Sequence, residues 1–404
     1  MASGLTQPST GPDHPPGHLF SATADVLFFW VTAALAALAC AIQAWQFVAA
    51  WRFPLHQRIP SRGHHPAISL LKPIKGADPH LRKCLVSWLR QDYPGPVEFL
   101  FAIASLEDPA CEIVRQLLSD HPGANARLVL CPGLAGPNAK VAKLAILSAQ
   151  ARYDLFVVSD ADVLAPPDLL QQLAGPMADP TVGLVNCFYR LANPVTPALR
   201  CEAVSVNADF WSQVLQSRCL FEQRFALGAV MMMRREDLAA AGGFESLVHH
   251  LADDYQLGHR IHALGRRIVP CTVPVECWES PAGWGEVWQH QLRWTRTIRV
   301  CQPLPFLASI VSNVTLWALL HLTTALTLGR ATWPVAAALA SRAVLAHLLH
   351  VRMAPEASIC RAPWWTWIKD LQATLLWAAA FLGNTVIWRG DRFRVSPDGR
   401  LTRL

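Results

Sequence analysis

Ser159-Asp160-Ala161-Asp162 sets two carboxylates two residues apart, directly after the apolar run Leu155–Ser159. A hard divalent ion takes such oxygens, and Mg²⁺ is usually held by one or two carboxylates plus substrate phosphates. A sugar diphosphate would complete that shell, which makes Asp160 and Asp162 candidate ligands for Mg²⁺ or Mn²⁺. The competing reading is a polar turn in which Asp162 caps the next segment. A second acidic pair, Asp253-Asp254, opens an apparent helix that runs to His262. The helix dipole favours acids at that position. A carboxylate beside another also has a raised pKa, which suits a general base that takes a proton from a hydroxyl. On sequence alone both readings stand.

Basic residues offer the complementary chemistry. In Gln289-His290-Gln291-Leu292-Arg293-Trp294-Thr295-Arg296-Thr297-Ile298-Arg299 an arginine recurs every three residues, beside Trp284, Trp288 and Trp294. Such a segment fits an amphipathic helix lying in a membrane interface. It also fits a clamp on a leaving diphosphate, because guanidinium matches phosphate geometry, and one helix can do both. Asn138-Ala139-Lys140 opens another helix, where a lysine can reach a phosphate at the N-terminus. Downstream of Gly228, the Gly242-Gly243 pair suggests a tight turn or a close backbone approach to a ligand.

The segments that must position these groups alternate between two patterns. Short apolar runs at Ala67–Leu71, Val97–Ala102, Ala126–Cys131 and Leu155–Ser159 read as buried strands. Between them, Asp78–Trp88 carries Leu81, Leu85 and Leu89 at helical spacing. Asp108-Pro109 opens a helix through Leu118, and Lys140–Gln150 forms a third. Such βα alternation implies an α/β domain with a mostly parallel sheet, whose ligands sit beyond the carboxyl ends of the strands. Asp78, Asp108 and Asp160 all follow strand ends. Each alone reads as a cap or turn residue, but their shared placement favours a site.

The chain has 404 residues, 52% hydrophobic and only 16% charged. A soluble domain averages about 25% charged residues, so the deficit speaks against a purely soluble enzyme, and the high hydrophobicity excludes a disordered chain. The excess is concentrated. Val26–Trp51 holds no charge, and the stretch 20–51 is long enough to span a bilayer. Arg52, Arg58, Arg62, Lys72 and Lys75 follow it, which by the positive-inside rule puts the region after it in the cytoplasm. Pro303–Gly329 is uncharged, Thr332–His350 carries only Arg342, and Trp364–Trp388 is a third candidate, weakened by Lys369 and Asp370. Three C-terminal crossings conflict with the arginine-rich tail, which favours the inside. The expected organisation is therefore a disordered N-terminus at 1–19, a transmembrane helix at 20–51, a catalytic domain at 64–285, an interfacial helix at 286–301, two or three transmembrane helices in 303–388 and a basic tail at 389–404. The net charge is +6, yet no basic stripe with interleaved aromatics marks the first 280 residues, so nucleic acid is not an expected partner. The 11 cysteines lack any CxxC spacing and read as free thiols of a reducing compartment.

In order, Leu70-Leu71-Lys72-Pro73-Ile74-Lys75-Gly76-Ala77-Asp78, Asp92-Tyr93-Pro94, Asp108-Pro109-Ala110, Asn138-Ala139-Lys140, Asp160, Gly242-Gly243-Phe244, Ala252-Asp253-Asp254-Tyr255 and Arg293-Trp294 resemble the ceramide glucosyltransferase family, glycosyltransferase family 21. The resemblance covers about residues 66 to 300 and leans toward the bacterial hopanoid-associated branch. It implies a GT-A fold, a UDP-sugar donor, a divalent metal, a lipid alcohol acceptor and inversion by single displacement at the inner membrane. By position, Asp78 would lie near the uridine, with Lys75, Asp108, Asn138, Lys140, Asp160, Arg293 and Trp294 on the donor side. Asp160 and Asp162 would hold the metal. Asp254, matching the second acid of the family's Glu-Asp-Tyr and flanked by Asp253, would be the base. The first position of the Q/R-x-x-R-W motif is here His290, a departure. A processive polysaccharide synthase of the same superfamily is the alternative, but its channel needs more transmembrane helices than the four or fewer candidates here. A non-enzymatic membrane protein is the third class, and a lone Arg342 in the hairpin supports a transport path poorly.

Overall fold

The computed structural model describes residues 17–60, 63–355, 363–388 and 390–404, and side chains from residue 23 onward. Of the segment expected to be disordered, 1–16 lies outside the described residues, and Gly17 already begins helix α1, Gly17–Arg52.

Strands β1 (Ile68–Pro73), β2 (Val97–Ile103), β3 (Ala126–Leu130) and β4 (Leu155–Ser159) pair in parallel, in the order β3-β2-β1-β4. Every residue of β1 and β4 is buried, which is what a strand covered on both faces by helices requires. The crossovers are α2 (Leu81–Leu89), α3 (Ala110–Asp120) and α4 (Ala139–Gln150). Leu81, Leu85, Trp88, Val114 and Leu117 pack on one face of the sheet, and Leu144 and Leu147 on the other. The helix expected from Asp78 starts three residues later, at Leu81.

After β5 (Val163–Leu164) and α5 (Leu169–Ala174) the sheet becomes mixed. Strand β6 (Val182–Leu191) leads to α6 (Pro197–Val204), a π-helical turn at Ser205–Phe210 and α7 (Trp211–Arg218). The chain returns along β7 (Val230–Arg234), continues through α8 (Arg235–Ala240) and α9 (Asp253–Ala263), and closes with β8 (Arg267–Cys277). The full order is β3-β2-β1-β4-β7-β6-β8-β5, with β7 antiparallel to both neighbours and β5 antiparallel to β8. Parallel pairings still prevail, so the α/β expectation holds. The reversal at β7 has a consequence for the site: the start of β7 meets the end of β4, and Asp160 N donates to Ala229 O at 3.1 Å.

Helix α10 (Trp284–Cys301) follows the domain, then α11 (Pro303–Ala308), α12 (Val314–Thr327), α13 (Trp333–Met353) and α14 (Trp365–Phe381). Thr23–Arg52 and Trp333–Met353 are long and apolar enough to cross a membrane, and 303–312 with 314–327, bent by 50°, make a third span if taken as one. Thr32 near the middle of α1 meets His321 and Thr324 of α12 at 3.3 Å. At the other end, Arg352 of α13 donates to Phe53 O at 2.7 Å and Arg190 of β6 donates to Met353 O at 3.3 Å. The α12–α13 hairpin thus leaves the catalytic domain and comes back to it.

The last segment departs from expectation. Helix α14 has 17 residues, and Gln372 on it accepts from Cys201 of α6, so it lies against the catalytic domain. Trp364, Trp367, Ile368, Leu371 and Leu375 form an exposed apolar stripe along it, as in a helix lying in an interface. Thr385–Trp388, expected to end the third crossing, is strand β9 instead, and the residues expected to be a basic tail pair with it in an antiparallel sheet as β10 (Asp391–Val395) and β11 (Leu401–Arg403). Phe393 and Val395 alternate with arginines and bury against Leu251. The tail therefore sits on the side of the catalytic domain, which removes the conflict between charge and crossing number. Ten cysteines among the described residues are unbridged; Cys360 lies outside them.

Candidate active site

From β1 the chain steps outward to β2 and β3 and then returns to the other side of β1 as β4. Open α/β sheets bind ligands at such a reversal point, beyond the strand ends. A cleft of about 530 Å³, mouth included, lies there, lined among others by Ile74, Lys75, Ala139, Lys140 and Asp160.

Lys140 organises the cleft. Its Nζ is 2.6 Å from Asp160 Oδ1 and 3.9 Å from Asp253 Oδ2. Burial works against its charge, but Asp160 and Asp253 outweigh burial and hold the ammonium's pKa above the usual lysine value. Asn138 caps α4 by accepting from Val141 N at 3.1 Å, and donates through Nδ2 to His250 O at 2.8 Å and Asp253 Oδ1 at 3.3 Å. Gly136 permits this approach: its φ is +72°, and a Cβ there would stand 2.9 Å from the Val248 side chain. The Asn-Ala-Lys turn and the acidic pair are thus one unit.

Asp253 and Asp254 form the first turn of α9. Burial pushes both carboxyls up; Asp253 adds its repulsion to Asp254, whose pKa reaches about 6. Tyr255 N donates to Asp254 Oδ1 at 2.8 Å.

Lys72, counted in the sequence among the cations that follow the first membrane segment, is fully buried beneath the acidic turn. Its Nζ donates to Ser159 Oγ at 3.0 Å and Asp160 O at 2.7 Å. Burial lowers its pKa to about 8. A lysine inside an otherwise apolar strand was the available signal.

A second corner gathers Asp162, Asp78, Glu279, Glu202 and the first turns of α10. Trp278 N donates to Asp162 O at 3.0 Å, and Ser280 Oγ to Asp78 Oδ1 at 2.9 Å. Glu202 Oε1 accepts from His290 Nδ1 at 2.8 Å and Gln291 Nε2 at 2.7 Å. Burial, then Glu202 and Asp162, push Glu279 up to about 8, with Arg293 opposing. Trp294 packs on His290 and Tyr189, with ring centroids 4.5 and 6.4 Å apart. His290, the departure from the motif, shares with Gln291 the task of holding a buried carboxylate. Glu202 and Glu279 had no signal in the sequence beyond their charge.

The three arginines of α10 divide between two places. Of the arginine clamp only Arg293 reaches this corner. Arg296 bonds the Thr385 carbonyl and Arg299 bonds Asn384, both at the junction of α14 and β9. Asp108 accepts from Gly76 N at 3.0 Å and Ala110 N at 2.9 Å, and so fixes the turn that carries Lys75.

The residues fit a divalent ion. Asp160 and Asp162 offer the hard oxygens that Mg²⁺ or Mn²⁺ takes, with Asp160 shared by Lys140. Glu202, Glu279 and His290 bring three further potential ligand atoms within 4.8 Å of one another.

The family model described as "Glycosyl transferase family 21" matches residues 31–401. Ceramide glucosyltransferase 1 of Caenorhabditis elegans is 27% identical over 231 residues, 55% of this chain and 47% of that protein. The ceramide glucosyltransferase of Candida albicans is 30% identical over 118 residues, 26% of this chain and 22% of that protein. The chain's match to C. elegans ceramide glucosyltransferase 1 thus spans about half that relative's length. Among solved structures, mannosyltransferase PcManGT from Pyrobaculum calidifontis, in complex with GDP-Man and Mn²⁺, is similar with a TM-score of 0.48 and 22% identity, over 86% of this chain and 98% of that one.

Proposed function

Since the chain belongs to glycosyl transferase family 21, we propose that it moves a hexose from a UDP-sugar to the hydroxyl of a membrane lipid of the ceramide or hopanoid type, inverting the anomeric carbon. The observation that carries this reading is Asp254, a half-buried carboxylate whose pKa burial and Asp253 push up to about 6, next in the chain to Asp253, which stands 3.9 Å from Lys140. The relatives named as ceramide glucosyltransferases support the acceptor class.

In this reading the donor lies in the cleft with its diphosphate near Lys75, Lys140 and Asn138, and Asp78 near the nucleoside. The acceptor approaches from the side of α10 and α14. Asp254 accepts the proton of its hydroxyl as that oxygen bonds to the anomeric carbon. The bond from that carbon to the diphosphate oxygen breaks in the same displacement, and UDP leaves with the bonding pair. A divalent ion on Asp160 and Asp162 would offset the charge gathered on UDP, a contribution of several kcal/mol. Arg293, whose charge acts on Glu279 in the second corner, would add a cation of the same sign. Lys72, by holding Ser159 and the Asp160 carbonyl, fixes the turn from below. The catalytic domain faces the cytoplasm, because the arginines and lysines that follow α1 lie on its side.

The test is UDP release by the purified full chain with a UDP-sugar, lipid acceptor and Mg²⁺ or Mn²⁺. Expected is lipid-dependent release that Asp254→Asn abolishes. Full activity of that variant refutes the base, and formation of long polymer refutes single transfer.

A further inference from the structure

The mechanism makes no use of the C-terminal sheet, yet that sheet reaches the cleft. Trp388, Asp391 and Phe393 line it together with Lys75, Lys140 and Asp160. Phe393 is buried, and its ring lies 6.4 Å from that of half-buried Trp388. The sheet is anchored from two directions. Leu401 N donates to His249 O at 2.6 Å and Leu251 N to Gly399 O at 3.2 Å, on the segment that ends in Asp253-Asp254. Arg296 and Arg299 of α10 grip Thr385 and Asn384 at its start. A folded sheet bound to both the acidic loop and α10 holds an indole at the edge of a cleft that also presents ammonium groups.

Lysines suffice for a free diphosphate. An indole beside them adds a flat π-face, and every nucleobase has one to match. We propose that the C-terminal sheet is a donor subsite in which Trp388, backed by Phe393, takes the base of the nucleotide while Lys75 and Lys140 take its phosphates. This rests on the UDP-sugar reading above. It explains why the segment following the last helix folds back onto the catalytic domain.

The experiment is calorimetric titration of the full chain in detergent with Mg²⁺, using UDP and inorganic pyrophosphate as separate probes. Trp388→Ala should weaken UDP about ten-fold, the usual loss for one base–aromatic stack, and leave pyrophosphate unchanged because it has no base. Trp388→Phe should restore UDP binding. Equal UDP affinity in Trp388→Ala and wild type overturns the subsite, as does a parallel loss of both probes, which marks collapse of the sheet. No UDP binding by the wild type refutes the donor reading itself.

Discussion

Gly228 faces Asp254 so closely that a Cβ at position 228 would stand 2.7 Å from Asp254 Oδ2. No real Cβ tolerates that distance, and the atom it meets is the carboxylate end that gives way most cheaply. Gly228→Ala should therefore displace the base rather than unfold the sheet. We expect turnover to fall about 10²-fold, the scale of a lost general base, with the melting temperature and UDP affinity close to wild type. Steady-state kinetics beside a thermal melt checks this; wild-type turnover would mean that Asp254 is not poised as argued.

The pKa of Asp254, about 6 through burial and the neighbouring Asp253, sets the acid limb of the rate. A base must be ionised, so kcat/KM should drop as pH falls through about 6. Stability runs the other way. Above an unfolded aspartate pKa of about 3.9, the folded carboxyl still binds a proton that the unfolded one has released. Its contribution is therefore complete below about 4 and is lost as pH rises through about 6. The wild-type pH-rate profile reads the limb, and Asp254→Asn, which abolishes turnover, should remove the slope in melting across pH 4 to 7.

Parts of the fold and of the site are legible in the sequence. The strands β1 to β4 are unbroken apolar runs, and the acids that follow them mark the cleft's edge. Asp160, Lys140 and Asp253 come together because Asp160 follows β4 while Lys140 and Asp253 stand in the first turns of α4 and α9. Strand β7, Val230-Met231-Met232-Met233, has no alternation and stands far from its partner in sequence, so its antiparallel pairing leaves no local mark. The tail misled for a different reason. Phe393 and Val395 do alternate with Arg392 and Arg394, with Gly390 and Gly399 at the turns, but five arginines dominate its composition. Lys72 was hidden because a buried lysine contradicts composition and becomes sensible only once Ser159 and the Asp160 carbonyl stand beside it.

Lys140 balances Asp160 and Asp253 and lowers the pKa of Asp254. Lys140→Met should move the acid limb of activity to higher pH and weaken UDP binding. It also leaves two carboxylates without their cation, a loss of roughly 1.5–3 kcal/mol for a charged hydrogen bond. Acid relieves that loss, so the variant's melting temperature should approach the wild type's as pH falls from 7 toward 5. A constant gap across that range would show that Lys140 acts by packing alone.

Arg342, the one charge in α13 between its first turn and His350, is met by charges from two other elements. It donates to both oxygens of Asp209, at 3.0 and 2.8 Å, and to both of Asp370, at 2.8 and 2.7 Å. Lys369 bonds Asp209 and lies 2.8 Å from Asp370 Oδ1. Two cations and two anions thus cancel where α13, α14 and the π-helical turn of the catalytic domain meet. Lys369 and Asp370, which weaken a transmembrane reading of α14, are here the groups that dock it. Arg342→Met leaves a net negative charge buried, and breaking such a network costs about 3–5 kcal/mol. Removing Asp209 as well, in Arg342→Met with Asp209→Leu, leaves the neutral Lys369–Asp370 pair and should recover most of the loss, because a buried ion pair is readily replaced by apolar contact. Thermal unfolding of the single and double variants in detergent decides it: equal destabilisation by both would show that the sites contribute separately and that no charge balance joins the catalytic domain to its membrane helices.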